Sequence, residues 1–163
     1  MLIPIIQAML LRELAAVQRS VQAYPDDASV WAQPDGVPNA GGTLVLHLAG
    51  NLQHYVGAVL GGNGYVRDRA AEFSRRDVPR AALLAEVAAA LSAVERTLPT
   101  LREESLSQPY SERIGGRVLT IETFLVHLAT HLAYHLGQLD YHRRVVTGDA
   151  KGVGALSPGA IGL

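Results

Sequence analysis

Residues 123–144 read TFLVHLATHLAYHLGQLDYHRR and carry four of the chain's six histidines: His127, His131, His135 and His142. At about 100° per residue, His131 lies roughly 40° round a helix from His127, His135 roughly 80° and His142 roughly 60°. The four therefore share one face, narrower than an ordinary buried stripe. Leu128, Leu132, Leu136 and Leu139 flank it, so the imidazoles point into or beside an apolar core. Only an i, i+4 pair on one helix can converge on a common point. Any three-point site must therefore draw its third ligand from another element. The remaining histidines, His47 and His54, lie on a second apolar segment.

The rest of the composition leaves room for such a core. At 163 residues, with 48% hydrophobic and 18% charged side chains, the chain suits one ordered globular domain. A net charge of -1 gives no footprint for nucleic acid, and the run SRRD at 74–77 is too short for a basic patch. There is no cysteine. Disulfides, thiolate nucleophiles and Cys-ligated zinc are excluded, and a reducing, cytoplasmic setting is the natural expectation. The apolar N-terminus has no basic residue before Arg12 and is interrupted by Gln7. It reads as an amphipathic helix rather than a signal peptide. No run approaches the ~20 apolar residues of a membrane span, so no membrane partner is expected.

Taken in order, the pattern predicts four long helices and an all-α bundle, with 1–148 as the domain and 149–163 as an extended tail. The first helix is expected over residues 4–24, stopped by Pro25, Asp26 and Asp27. Residues 25–42 form a long connection holding the only tryptophan, Trp31, which is expected to plug the core under the loop. A second helix is expected over 42–60, closed by Gly61, Gly62, Asn63 and Gly64. Residues 65–78 are charged and read as a loop with local helical turns. A third helix is expected from about 79 to 98 with Asp77 available as its cap. Gly115 and Gly116, between Ile114 and Val118, fit a tight two-residue hairpin. The fourth helix is expected from a Thr120 cap to 147, ending at Gly148.

A lone histidine on an apolar helix face is commonly a hydrogen-bonded core residue. Each buried neutral imidazole needs a partner for both ring nitrogens, so a row of four is costly without a common purpose. Zinc, nickel or iron(II) accepts neutral imidazole and offsets that cost. His131 and His135 lie ~6 Å apart along a helix axis and can share one ion, with His47 completing three ligands. His127 lies one turn from the ion and is expected in the core, with a place behind the ligands as the alternative. If the second and fourth helices run parallel, His54 comes level with His142. Gln138, Tyr134, Tyr55 and Asp140 are candidates for orienting groups or proton carriers. Gln138 is expected to face the interior, and Asp140 is expected on the solvated surface. Two readings stay open on spacing alone: a three-histidine metal site, or core histidines that bind nothing.

Several segments together resemble the DinB-like superfamily of four-helix-bundle metalloenzymes, over residues 31–144. They are Trp31 with Pro34 and Asn39; His47 through Leu52 (HLAGNL); Arg67, Asp68 and Arg69 with Glu72 and Phe73; and His131 through Gln138 (HLAYHLGQ). The resemblance implies a divalent metal, zinc or nickel, held by His47, His131 and His135. It also implies a bundle that often dimerises, here a homodimer. Characterised members of that superfamily include thiol S-transferases using bacillithiol or mycothiol and a mycothiol-dependent maleylpyruvate isomerase. The resemblance therefore points to a small-molecule enzyme, a thiol S-transferase or hydrolase, with a low-molecular-weight thiol as possible partner. The alternative is a metal-binding, stress-related dimeric module without turnover, suggested by the apolar tail 153–163. A pocket over the metal, lined by Trp31 and Gln138, is expected on the enzyme reading.

Overall fold

A computed structural model describes residues 2–154 and Gly159. The fold is all-α. Its elements are α1 (Leu2–Gln22), α2 (Asp27–Trp31), α3 (Gly41–Leu52), α4 (Arg69–Ser74), α5 (Arg80–Thr97) and α6 (Ile121–Thr147). Helix α3 continues without a break into a π-helical stretch, Gln53–Leu60. The long helices α1, α3, α5 and α6 surround one core. Helix α1 packs on α5 and α6, and α3 packs on the same two from the opposite corner.

The apolar spacing explains which faces turn inward. On α6 the buried leucines fall at 125, 128, 132, 136 and 139, the i, i+3, i+4 pattern of one stripe. They meet Leu10, Leu14 and Val17 of α1 and Leu44, Leu48 and Leu52 of α3 in a single cluster. Burying such a side chain stabilises the fold by about 1.5–3 kcal/mol relative to leaving it exposed. No helix among the described residues is long and apolar enough to cross a membrane.

The helix ends follow local chemistry. Thr120 caps α6, its Oγ1 accepting the Thr123 N–H at 3.3 Å. Gly148 closes α6 in the left-handed region, φ 70°, where an L side chain is disfavoured. Helix α1 starts and ends about two residues earlier than the spacing suggests. The aspartates after it do more than stop it: Asp26 caps α2, with Oδ1 accepting the Ser29 N–H at 2.7 Å and the Ser29 hydroxyl reaching back. Asp77 does not cap α5. It sits at φ 55°, and Pro79 takes the capping position without a side-chain bond. The expected two-residue glycine hairpin forms, pairing Ile114 with Arg117 around Gly115 and Gly116.

Helices α3 and α6 run antiparallel. Gly41 lies beside His142, His47 beside His131 and His135, and Tyr55 against Phe124. The parallel arrangement that would level His54 with His142 does not occur. After Gly148, residues 149–154 run without regular structure, tied back where Arg19 Nε donates to the Val153 carbonyl at 2.7 Å. Apart from Gly159, the remainder of the expected apolar tail lies outside the described residues.

Every residue of Gly41–Leu52 is buried, so α3 has neighbours on all sides. A Cβ on Gly42 would overlap the indole of Trp31, whereas one on Gly137 of α6 would meet nothing within 4 Å. Gly42→Val is therefore expected to destabilise the protein by about 1–3 kcal/mol through overpacking. Gly137→Ala is expected to stabilise it by about 0.5–1 kcal/mol through helix propensity. Chemical denaturation of the two variants checks the pair; equal effects would contradict the packing.

Candidate metal centre

The antiparallel pairing of α3 and α6 brings His47 against His131 and His135. The ring centroids stand 5.1 Å apart for His47–His131, 5.3 Å for His47–His135 and 4.6 Å for His131–His135. One nitrogen from each ring lies within 4.8 Å of the others, so the three can hold one metal ion. His47 Nε2 and His131 Nε2 are 3.2 Å apart. Two nitrogens on a tetrahedral zinc, at about 2.0–2.1 Å each, stand about 3.3 Å apart, so the donor set fits such an ion.

Two of the rings are held from behind. His47 Nδ1–H donates to Glu72 Oε2 at 3.0 Å. Glu72 in turn accepts from Arg67 Nε at 2.6 Å and Arg67 Nη2 at 2.9 Å. Helix α4 carries Glu72, and Asp68 caps that helix by accepting the Ala71 N–H at 2.9 Å. Gly50 makes the approach possible, because a Cβ there would overlap Glu72 Oε1. On α6, His135 Nδ1–H donates to Gln138 Oε1 at 2.6 Å. With Nδ1 carrying the proton in both rings, the Nε2 lone pairs of His47 and His135 are free to act as ligands.

Electrostatics favour the neutral form of His131 and His135. Burial lowers the His131 pKa to about 4, and the neighbouring His135, His47 and His127 rings push the same way. Burial also lowers His135, against the opposing hydrogen bond to Gln138. At Glu72 burial acts upward, but the bonds from His47 and Arg67 outweigh it and hold the carboxyl below its usual value. Neutral rings at His131 and His135, with an ionised Glu72 behind His47, suit a divalent cation.

The other candidates separate. His142 is buried and wholly engaged: Tyr24 Oη lies 2.6 Å from Nδ1, and Nε2–H donates to the Ala32 carbonyl at 2.8 Å. His54 sits in the π-helical stretch beyond α3, 3.2 Å from Glu112. His127 is exposed rather than in the core, stacked on Phe124 at the surface. Asp140 is buried, not solvated, between Arg143 and Arg144. The long arginine stems let both charges reach it. Tyr55 is structural: its carbonyl accepts from Tyr110 Oη and its ring lies under Arg67. Tyr134 is exposed, edge-on to His135 at 5.1 Å. Gln138 is exposed too, yet it still reaches the cluster through His135. Trp31 plugs the loop, its Nε1–H donating to the Val78 carbonyl at 2.9 Å. The supporting roles of Arg67 and Glu72 were not evident from spacing, since they depend on a loop folding back over α3.

A pocket of about 240 Å³ has Gln138 in its wall, but neither Trp31 nor any of the three clustered histidines.

The lowered pKa values set a pH dependence. An unfolded histidine titrates near 6.5, whereas His131, His135 and His142 titrate lower when folded. Between those values the unfolded chain binds more protons, so stability rises with pH and is lost on acidification. The metal-free protein should lose stability steadily from about pH 6.5 to 5, above the main carboxylate range. His131→Gln should flatten that slope. Denaturation midpoints across this window check it, and a flat parent profile would contradict it.

The DinB superfamily profile matches residues 9–139. No curated protein matches the chain. The crystal structure of a DinB-like protein from Bacillus cereus ATCC 10987 is similar in fold, at a TM-score of 0.65 and 16% identity. That similarity covers 83% of this chain and 86% of the other. The all-α fold, the paired helices that bring His47 to His131 and His135, and the profile match over most of the sequence agree: the chain belongs to the DinB superfamily.

Proposed function

We propose that His47, His131 and His135 hold a divalent metal, zinc or nickel foremost and iron(II) as a third option. On this reading the protein is a metal-dependent enzyme that acts on a small molecule by thiol S-transfer or hydrolysis. One observation carries it. His47 and His135 have their Nδ1 atoms engaged by Glu72 and Gln138, which leaves Nε2 nitrogens beside His131 with no apolar purpose. When bound, the metal supplies Lewis acidity that brings the pKa of water or a thiol toward neutrality. Three protein ligands, rather than four, leave a position for that group.

The chain's own residues would do the rest. Glu72, held by Arg67, fixes the His47 tautomer. Gln138 fixes the His135 ring and cannot act as an acid or base. Tyr134, exposed beside His135, can meet a substrate approaching from solvent. A cytoplasmic site of action goes with the absence of cysteine.

Protein purified without an affinity tag or chelator should contain near-stoichiometric zinc or nickel, and His131→Ala little. Glu72→Gln should weaken zinc affinity by about 10–100-fold, as loss of a partner behind a ligand does. In cobalt-substituted protein, adding a low-molecular-weight thiol should change the visible absorption bands. No metal in the parent, with thermal stability unmoved by zinc or nickel, would return the histidines to the core-residue reading.

A second reading, a dimeric metal-binding module without turnover, is favoured by an exposed apolar face on α6. Val126, Tyr134 and Tyr141 on that helix are 44%, 65% and 68% exposed. A second copy packed there would bury them. Sedimentation should then give a homodimer that Tyr141→Ser weakens; a monomer at all concentrations argues against it.

A further inference from the structure

We infer that the pocket walled by Gln138, the residue that holds His135, binds an uncharged, largely apolar small molecule through a carbonyl-type oxygen received by Gln138. The inference rests on the metal-dependent reading for its purpose, and on the pocket itself for its chemistry. The pocket lies between the 36–39 turn and the C-terminal half of α6. Its walls are mainly Val37, Pro38, Leu44, Tyr141 and Val145. No Asp, Glu, Lys or Arg lines it, so a charged ligand would lose hydration without gaining a counter-charge. His142 also borders the space, but Tyr24 and Ala32 occupy its two nitrogens, so it offers only ring carbon.

The remaining polar side-chain groups are the amides of Asn39 and Gln138 and the Tyr141 hydroxyl. Gln138 faces two ways. Its Oε1 accepts from His135, while its Nε2 makes no hydrogen bond among the described residues. An amide held by one end and free at the other is a fixed donor, matched by a ligand acceptor such as a ketone, ester or amide carbonyl. The same side chain thus links the bound oxygen to an imidazole of the cluster. A compound seated here would present its polar end toward Gln138 and its apolar body toward Val37, Pro38 and Val145. Few polar groups in an apolar cleft is the usual make-up of a small-molecule site.

The test uses the full-length, metal-free protein and the uncharged aryl ketone dye prodan. Its emission should shift to the blue with saturable binding. Val145→Trp fills the groove from a position that is 61% exposed, so the fold has room for it. That variant should weaken binding at least tenfold with an unchanged thermal midpoint. Gln138→Leu, which keeps the size and removes the donor, should weaken it severalfold. Val118→Ser, on the distant hairpin, should leave it as it was. The anionic dye anilinonaphthalenesulfonate should bind at least tenfold more weakly than prodan. Absence of saturable binding, indifference to Val145→Trp, or equal affinity for the anionic dye would overturn the inference. So would displacement of prodan as a dimer forms in sedimentation, which would assign this face to a second copy. Zinc affinity, measured separately by competition with a chromophoric chelator, distinguishes the two failures. Prodan binding without zinc uptake sinks only the metal reading, and zinc uptake without prodan binding sinks only the pocket.

Discussion

The arrangement depends on how closely α3 is approached from every side. A helix buried all round must accept neighbours within van der Waals distance along its whole length. Glycines at the crowded positions permit this. Gly41 admits Tyr24 and His142, Gly42 admits the Trp31 indole, and Gly50 admits the Glu72 carboxylate. Each absent Cβ does more than save space. At Gly41 and Gly50 it lets a polar group from another segment, His142 and Glu72, reach the helix and hydrogen-bond there. The buried helix becomes the place where α6, the first connection and the loop after α3 all meet.

That meeting resolves the difficulty posed by histidines in an apolar core. An imidazole removed from water must satisfy two nitrogens or lose stability. The molecule meets the requirement in two ways. His142 is closed off, with one nitrogen on Tyr24 and one on Ala32, and it acts as a staple between α6 and the first connection. His47 and His135 are held at Nδ1 by Glu72 and Gln138, and the His47 Nε2 lies 3.2 Å from the His131 Nε2. Ring nitrogens from three histidines converging on one point distinguish a ligand cluster from core packing. Burial reinforces it by keeping His131 neutral well below the ordinary histidine range.

Charge is placed to support this. Glu72 would be costly so deep in the protein without compensation. Arg67 grips both of its oxygens while its guanidinium lies over the Tyr55 ring, 5.4 Å from the centroid. The carboxylate therefore stays ionised next to His47. The pocket on the other flank has no formal charge at all. The cluster is thus polar and closed behind His47, while Gln138 stands between His135 and an apolar, uncharged pocket.

Much of this was legible in the chain before folding. The i, i+4 pair His131 and His135, the leucine stripe beside it, the Thr120 cap and the Gly148 stop are all local. They follow from helical periodicity and end chemistry, which act within a few residues. The need for a third ligand from another helix was legible too, because one helix face cannot surround an ion. What spacing could not decide was the direction in which α3 crosses α6. Antiparallel packing sent His54 to Glu112 and brought His142 to Tyr24, undoing the pairing that a parallel crossing would give. Nor could it decide that His127 faces solvent, that Asp140 is buried between two arginines, or that Glu72 returns over Gly50 to hold His47. The sequence by itself determined the helices and which residues could be ligands, since backbone preference and periodicity are short-range. Only the tertiary structure decided which histidines meet and what stands behind them. Those contacts join residues far apart in the chain, through whichever faces the packing brings together.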